Sequence, residues 1–175
     1  MQTFLPYDSY QETARCLDYR RLGKQRVETL QILNALNGQS RGWVNHPATK
    51  MWRGHRVHLI SYGIAICDEW IRRGYKDTCG QKILGHLDAA YAAQEYDIPP
   101  WLGYEPLHAS HRSNLLRKDS AYYGQFGWRE RDDMPYVWVE SDGWVWTDKS
   151  GRVGSVGTAV RPKSELDLLY TADQA

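Results

Sequence analysis

Along the first half of the chain, apolar positions recur at helical spacing between short polar breaks. Residues 9–12 read Ser-Tyr-Gln-Glu, the spacing of a helix capping box, and predict a helix over residues 9–21 that Gly23 ends or bends. From Lys24 onward an apolar side chain recurs at every third position, which predicts a second amphipathic helix over residues 24–38.

Four further helices follow from the same kind of spacing. Pro47 is suited to the first turn of a helix, and Gly74 is suited to end one. Pro99 and Pro100 break the helical pattern between the last two. The four helices are predicted over residues 47–52, 59–74, 83–91 and 106–118.

Near the carboxyl end the spacing changes from helical to alternating. Residues 136–146 predict a β-hairpin with Asp142-Gly143 in its turn. Four glycines over residues 143–157 predict a loop after it, and the last ten residues are expected to be loosely held. The expected fold class is mainly α, a compact single helical domain over residues 1–135. A small C-terminal β-hairpin and loop extension, residues 136–175, would pack on it.

The composition is that of an ordinary folded protein. Of the 175 residues, 42% are apolar and 25% are charged, which argues against a disordered, collagenous or coiled-coil chain. No apolar stretch is long enough to cross a membrane and the first residues lack a signal peptide, so we expect a cytoplasmic monomer without a membrane partner. Cys16, Cys67 and Cys79 lack paired zinc spacing and are interpreted as reduced thiols.

Charge is unevenly spread, although the formal net charge is only +1. Residues 1–60 hold nine Lys and Arg against four Asp and Glu, and residues 108–131 hold five against two. The chain also carries eight Trp and twelve Tyr but only two Phe, and Trp and Tyr combine a stacking plane with a polar group. Basic segments together with such rings favour a polyanion-binding face, so nucleic acid is the expected partner.

The densest polar cluster, residues 18–28, holds four cations and two acids. One interpretation is a solvated charged turn. The other rests on helical geometry, because Lys24 and Glu28 lie four residues apart and Leu30 and Leu33 place Glu28 beside the edge of the buried stripe. A carboxylate flanked by arginine can stay ionised there and stabilise positive charge that forms on a substrate.

A second cluster joins polar and aromatic side chains around the predicted short helix. Asn45 and His46 are placed to cap that helix. With Trp43 and Trp52 they are also placed to line a pocket that holds a flat ring. The two roles are compatible.

A third cluster lies on the last predicted helix and just after it. His108 and His111 share a helix face, but no acidic or cysteine partner stands at a ligand spacing, so neither a metal nor another cofactor is expected. Contact with phosphate and base is the preferred interpretation. The side chains assigned to it are Arg112, Arg117 and Lys118 for phosphate, and Tyr122 and Tyr123 with the two histidines for a base.

Several familiar catalytic signatures are missing from the chain. The sequence has no Walker loop, no G-x-G-x-x-G before a helix, no G-x-S-x-G and no H-E-x-x-H. Nucleotide hydrolysis, dinucleotide redox chemistry and esterase chemistry are therefore disfavoured.

The order and spacing of the clusters resemble the pyrimidine-dimer DNA glycosylase family, the phage endonuclease V type and its bacterial relatives. The resemblance extends from Met1 to about Tyr123 and leaves out the predicted hairpin. It rests on the short amino-terminal lead, on Arg26-Val27-Glu28, on residues 41–47 and 69–75, and on the His108 helix with Tyr122-Tyr123-Gly124.

This resemblance implies a small helical enzyme that binds double-stranded DNA, flips a nucleotide, cuts the glycosidic bond of a damaged pyrimidine and nicks the strand. The nucleophile of the family is the amino-terminal α-amino group, assisted by a glutamate on an early helix. These correspond here to Met1 and Glu28. The phosphate contacts are assigned to Gln2, Arg20, Arg21, Lys24, Arg26 and Arg53, besides the three cations of the last helix.

Two departures bear on the substrate. The phage enzyme has an arginine next to its nucleophilic residue where this chain has Gln2, which weakens the inference of one phosphate contact, and residues 18–25 carry a longer basic loop than the family implies. The expected substrate is therefore either an ultraviolet dimer or a modified pyrimidine. Two alternatives to a glycosylase with abasic-site lyase activity stay open. One is a non-catalytic nucleic-acid-binding module, and the other is a monofunctional glycosylase that uses Glu28 to activate water.

Overall fold

The computed structural model describes residues 1–149 and 151–156, and it is mainly helical. The predicted fold class, helical with a small sheet near the carboxyl end, is confirmed. The helices are α1 (Tyr10–Cys16), α2 (Tyr19–Leu36), α3 (Pro47–Trp52), α4 (Arg56–Arg72), α5 (Gly80–Leu84), α6 (Leu87–Ala92), α7 (Glu105–Lys118) and α8 (Ser120–Tyr123), followed by a 3-10 turn at Gly124–Phe126. The strands are β1 (Val137–Val139), β2 (Trp144–Thr147) and β3 (Gly151–Ser155).

The first two helices divide at a different residue from the one predicted. Asp18 caps α2, since its Oδ1 accepts hydrogen bonds from the backbone N–H groups of Arg20 (2.9 Å) and Arg21 (3.2 Å). α2 then continues through Gly23, which does not end it. A Cβ at this position would lie 3.1 Å from the Trp70 ring, so the glycine admits α4 close to α2.

Other boundaries differ in smaller ways. α3, α4 and α7 lie close to their predicted ranges, whereas residues 83–91 form parts of two short helices that divide at Gly85 and His86. α8 and the 3-10 turn were not predicted. Across the described part of the chain, no helix is long and apolar enough to span a membrane.

The predicted hairpin is present, and a third strand extends it. Gly143 sits in the turn at a φ of +86°, which favours glycine, and β1 pairs with β2 so that Trp138 faces Trp146. β3 pairs with β2 where a loop was predicted. The Ser110 hydroxyl on α7 accepts a hydrogen bond from the Val137 N–H at 3.1 Å, so β1 is tied to the helical body. The prediction for the last ten residues lies outside the described residues.

The amino-terminal strap, residues 1–6, lies outside the helices and strands and is mostly buried against the helical body. Leu5 is fully buried, and its backbone is held by two histidines of α7. Its N–H donates to His111 Nδ1 at 2.8 Å, and its carbonyl oxygen lies 2.7 Å from His108 Nδ1. His108 Nε2 accepts from the Gly103 N–H, so His108 Nδ1 carries the proton that Leu5 accepts. These bonds satisfy a buried backbone segment that has no sheet partner.

Because of this arrangement, we expect His111 to make the protein less stable as the solution is acidified. Burial lowers the pKa of His111 to about 3, whereas a histidine in an unfolded chain titrates near about 6.5. Between these values only the unfolded chain binds the proton, so each pH unit of acidification removes up to about 1.4 kcal/mol from the free energy of unfolding.

The variant His111→Asn tests this expectation. Its amide oxygen can still accept from the Leu5 N–H, but it does not titrate. Chemical denaturation at about pH 7 and about pH 5 should show a smaller loss of stability for the variant than for the unaltered protein. Parallel pH dependences in the two proteins would contradict the assignment.

Candidate active site at the amino terminus

A cavity of about 430 Å³ lies where the amino-terminal strap meets the first turns of α2. Three kinds of side chain share it: the start of the strap, a group of cations with one carboxylate, and an aromatic wall. The lining residues are Met1, Gln2, Phe4, Arg20, Arg21, Lys24, Gln25, Glu28, Lys118, Tyr136 and Trp138. Both predicted catalytic residues, Met1 and Glu28, therefore face the same space.

The Glu28 carboxylate is held against the strap. Its Oε2 accepts a hydrogen bond from the Gln2 backbone N–H at 3.3 Å and another from Gln25 Nε2 at 3.0 Å. The first of these donors belongs to the peptide bond that follows Met1. The chain terminus thus lies beside the carboxylate, and Gln2 contributes through its backbone while its side chain is buried.

The cations around the cavity are only partly neutralised. Arg20 and Lys24 are exposed, whereas Arg21 forms an ion pair with Asp18 at 3.2 Å. Partial desolvation, together with the charges of Arg21, Arg117 and Lys24, lowers the pKa of Lys118. Cations that disfavour one another's charge attract an anion placed among them, so the cavity suits a phosphate-bearing ligand.

The aromatic wall consists of Tyr136 and Trp138, and rings from the loop before α3 pack against it. Trp138 on β1 meets His46 edge-on at 6.2 Å between ring centroids, and His46 meets Trp43 at 5.4 Å. His46 caps α3, because its Nδ1 accepts from the Ala48 N–H at 3.1 Å. Burial and the positive amino terminus of Met1 lower the pKa of His46. The predicted cap is therefore present, whereas neither His46 nor Trp43 is among the side chains that line the cavity.

Four lining residues were not predicted for the site: Phe4, Gln25, Tyr136 and Trp138. Tyr136 and Trp138 belong to the predicted hairpin. Alternation of apolar and polar residues identified their strand correctly. It contained no signal for the helices on which that strand packs, so nothing linked these rings to Glu28.

Several predicted phosphate contacts lie elsewhere. Arg26 forms an ion pair with Asp77 at 2.5 Å and stacks over the Trp70 ring at 4.3 Å, so its charge is used inside the fold. Arg112 is likewise neutralised, by Glu105 and Glu130. Outside the cavity lining, Arg53 and Arg117 remain exposed; Arg53 donates to the Val44 carbonyl, and Arg117 donates to Asn114.

Most of the predicted base pocket is part of the core. Trp52 is fully buried and donates through Nε1 to Thr3 Oγ1 at 2.9 Å, and His108 and His111 hold the strap. Tyr123 is fully buried and donates to the Asp18 cap at 2.5 Å. Tyr122 is half-buried beside it, and Asn45 is exposed. The structure does not bring these six side chains to the cavity.

A second groove, of about 460 Å³, runs along the outer side of α2 and shares Arg20, Lys24 and Glu28 with the first. Tyr19 and Val27 add exposed apolar surface to it, and Trp70 forms its far wall. Glu28 thus stands between two concave surfaces of the same basic face. In the parts of the chain that the structure describes, no three His, Cys, Asp or Glu side chains meet in a metal-binding arrangement.

Comparisons with known proteins point to one family. Residues 1–82 match the family model described as pyrimidine dimer DNA glycosylase. Neither the curated proteins nor the solved structures gave a match. The matched part carries the strap, Glu28 and the loop of His46, while Lys118 and the aromatic wall of β1 lie beyond it. The match supports the resemblance that the sequence motifs indicated, to the pyrimidine dimer DNA glycosylases, and with it a DNA repair glycosylase as the general activity.

Proposed function

We propose that this protein is a DNA glycosylase with abasic-site lyase activity, and that the amino group of Met1 forms a Schiff base with the sugar of a damaged or modified pyrimidine nucleotide. One observation carries the proposal: the Glu28 carboxylate lies against the peptide bond that follows Met1, inside a cavity rich in cations. A monomer that works on double-stranded DNA in the cytoplasm stays an expectation from the sequence.

The chemistry needs a nucleophilic amine and a nearby negative charge. α-Amino groups lose their proton at a much lower pH than lysine side chains do, so a chain terminus is a ready nucleophile. As the bond between C1′ and the base breaks, the leaving base takes the electron pair and a proton. The positive charge that develops on the sugar lies where Glu28 can stabilise it.

Strand cleavage follows from the same adduct. The amine attacks C1′, and opening of the sugar ring leaves an imine between the Met1 nitrogen and C1′. Loss of a C2′ proton then breaks the C3′–O bond, and the phosphate leaves with the electron pair. Water finally hydrolyses the imine and releases the unsaturated sugar fragment, so the amine is regenerated and no cofactor is consumed.

The cations around the cavity supply the means of holding DNA. Arg20, Lys24 and Lys118 converge on it from α2 and α7, and phosphate contacts of this kind dominate the affinity of DNA-binding proteins. The aromatic wall at Tyr136 and Trp138 offers a surface for a base or sugar next to those phosphates. A non-catalytic binding module would use the same face, but the convergence of Met1 and Glu28 favours an enzyme.

Borohydride trapping tests the nucleophile. With duplex DNA that carries an abasic site, we expect a covalent adduct whose sugar maps by peptide mass spectrometry to Met1. Lys118 is the matched control because it is a second amine in the same cavity, so Lys118→Met should leave the adduct in place. Absence of an adduct, or its location on a lysine, would overturn the proposed nucleophile.

Glu28→Gln separates catalysis from binding. The substitution removes the negative charge but keeps the shape and one acceptor oxygen, so strand cleavage should slow by about 10²- to 10⁴-fold while affinity for the same duplex is retained. Single-turnover gel assays and a binding titration measure the two quantities. Base release without any nicking or adduct would favour the monofunctional alternative. A preparation of the unaltered protein that binds without cleaving would favour the binding module.

The salt dependence of binding tests which cations meet phosphate. Arg20→Ala and Lys24→Ala should each reduce the slope of log affinity against log salt by about 1. Lys82→Ala, an exposed lysine on α5 outside the cavity lining, is the control and should leave the slope unchanged. Equal effects of all three substitutions would argue against a defined phosphate site at the cavity.

A further inference from the structure

Gln25 joins the amino-terminal strap to the candidate catalytic carboxylate. It lies on α2 three residues before Glu28 and is only 1% exposed. Its Oε1 accepts from the Phe4 N–H at 3.1 Å and lies 2.7 Å from the Tyr62 hydroxyl, while its Nε2 donates to Glu28 Oε2 at 3.0 Å. A single buried amide therefore contacts the strap, α4 and Glu28 at once.

The two ends of this amide cannot be exchanged. The Phe4 N–H can only donate, so the amide end beside it must be the oxygen. The Tyr62 hydroxyl is fully buried on the same side, and burial, followed by the nearby Glu28 charge, raises the pKa of Tyr62 well above its ordinary value. Tyr62 thus stays protonated and also lies 3.0 Å from the Phe4 carbonyl oxygen. The amide nitrogen is left pointing at Glu28.

This orientation decides how the carboxylate is presented. Both Gln25 Nε2 and the Gln2 N–H donate to the same oxygen of Glu28, Oε2. Within the described residues, Oε1 of Glu28 receives no hydrogen bond, so it is the oxygen left for a substrate. When one oxygen of a carboxylate is held by hydrogen bonds, the position of the second oxygen is fixed as well. A charge that is already in position stabilises a transition state most effectively, because it does not have to reorganise during the reaction.

We propose that Gln25 is a positioning residue that holds Glu28 against the strap, so that the carboxylate and the Met1 amino group keep a fixed relation. The inference rests on the proposed function, since it assigns a role within that same site. In this proposal Gln25 does not contact the reacting atoms of the substrate, and it acts through its hydrogen bond to Glu28.

A purely structural role for Gln25 would have a different energetic signature. If the amide served only to bind the strap, its loss would weaken the fold or the strap whether or not Glu28 carries a charge. If it acts through Glu28, its effect on the rate should vanish once the carboxylate is gone. A double-mutant cycle measures this difference.

The experiment compares four proteins in single-turnover cleavage of duplex DNA with an abasic site: the unaltered chain, Gln25→Met, Glu28→Gln and the double variant. Methionine keeps the volume of glutamine but makes none of its hydrogen bonds. We expect Gln25→Met to lower the cleavage rate by about 10- to 100-fold with duplex affinity unchanged. In the Glu28→Gln background the same change should cost less than about 3-fold.

A second variant protects the test against loss of folding. Tyr62→Phe removes the hydroxyl that fixes the far end of the amide and keeps the aromatic ring, and it should lower the rate in the same direction, again only when Glu28 is present. Thermal unfolding shows whether each variant is folded. If only one of Gln25→Met and Tyr62→Phe folds, that variant is combined with Glu28→Gln in the double-mutant cycle.

The outcomes are distinct. Equal losses with and without Glu28, or no loss for a folded Gln25→Met, overturn the positioning role while the proposed function stands. If the unaltered protein neither cleaves the duplex nor forms the borohydride adduct, the proposed function fails and the positioning role fails with it.

Discussion

The backbone of Leu5 is held between two buried imidazoles of α7, and the rest of the site depends on this clamp. A chain terminus ordinarily has many conformations, and ordering it costs conformational entropy. Here His108 and His111 satisfy the carbonyl and the N–H of one buried residue, and the Trp52 indole binds Thr3 two residues earlier. The terminal amino group is therefore delivered to α2 by a segment that belongs to the core. An effective nucleophile needs this kind of restriction, because proximity lowers the barrier only when the geometry is already set.

The arginines divide into two groups with different physical roles. Arg26 is paired with Asp77 and stacks on Trp70, and Arg112 is paired with two glutamates, so their charges are compensated within the fold. Arg20, together with Lys24, stays exposed beside Glu28. A basic composition alone does not separate these groups, because the distinction arises from which acids fold next to each cation. The cavity keeps its positive potential because its cations outnumber its carboxylates.

A feature of the fold or the site could be predicted from the sequence when the residues that determine it lie close together along the chain. Glu28 could be placed at the edge of a buried stripe because helical periodicity is local, and the hairpin could be placed because Asp142-Gly143 is a local turn signal. The role of His108 could not be predicted, since its partner is the backbone of Leu5, about a hundred residues away along the chain. A pair of histidines on one helix face looks the same whether it meets a ligand or a buried peptide. The division at Asp18 was missed for a simpler reason: a helix-capping aspartate competes with the helix-breaking tendency of Gly23, and here the cap prevailed.

The cavity is lined by two parts of the chain, and only the first of them lies in the region that matches the family model. Met1 and Glu28 lie within the region that matches the glycosylase family model, and Lys118, Tyr136 and Trp138 lie outside it. The second part contributes two aromatic rings and an amine to the lining of the cavity. Trp138 is further fixed by stacking on Trp146 at 5.8 Å, so this wall is shaped by the sheet and does not depend on a single flexible side chain. The two parts of the cavity are therefore structurally separable, since one depends on the strap and α2 and the other on β1 and the end of α7. The family match covers Met1 and Glu28 but neither Lys118 nor the aromatic wall, so it carries no information about the part of the cavity that those side chains form.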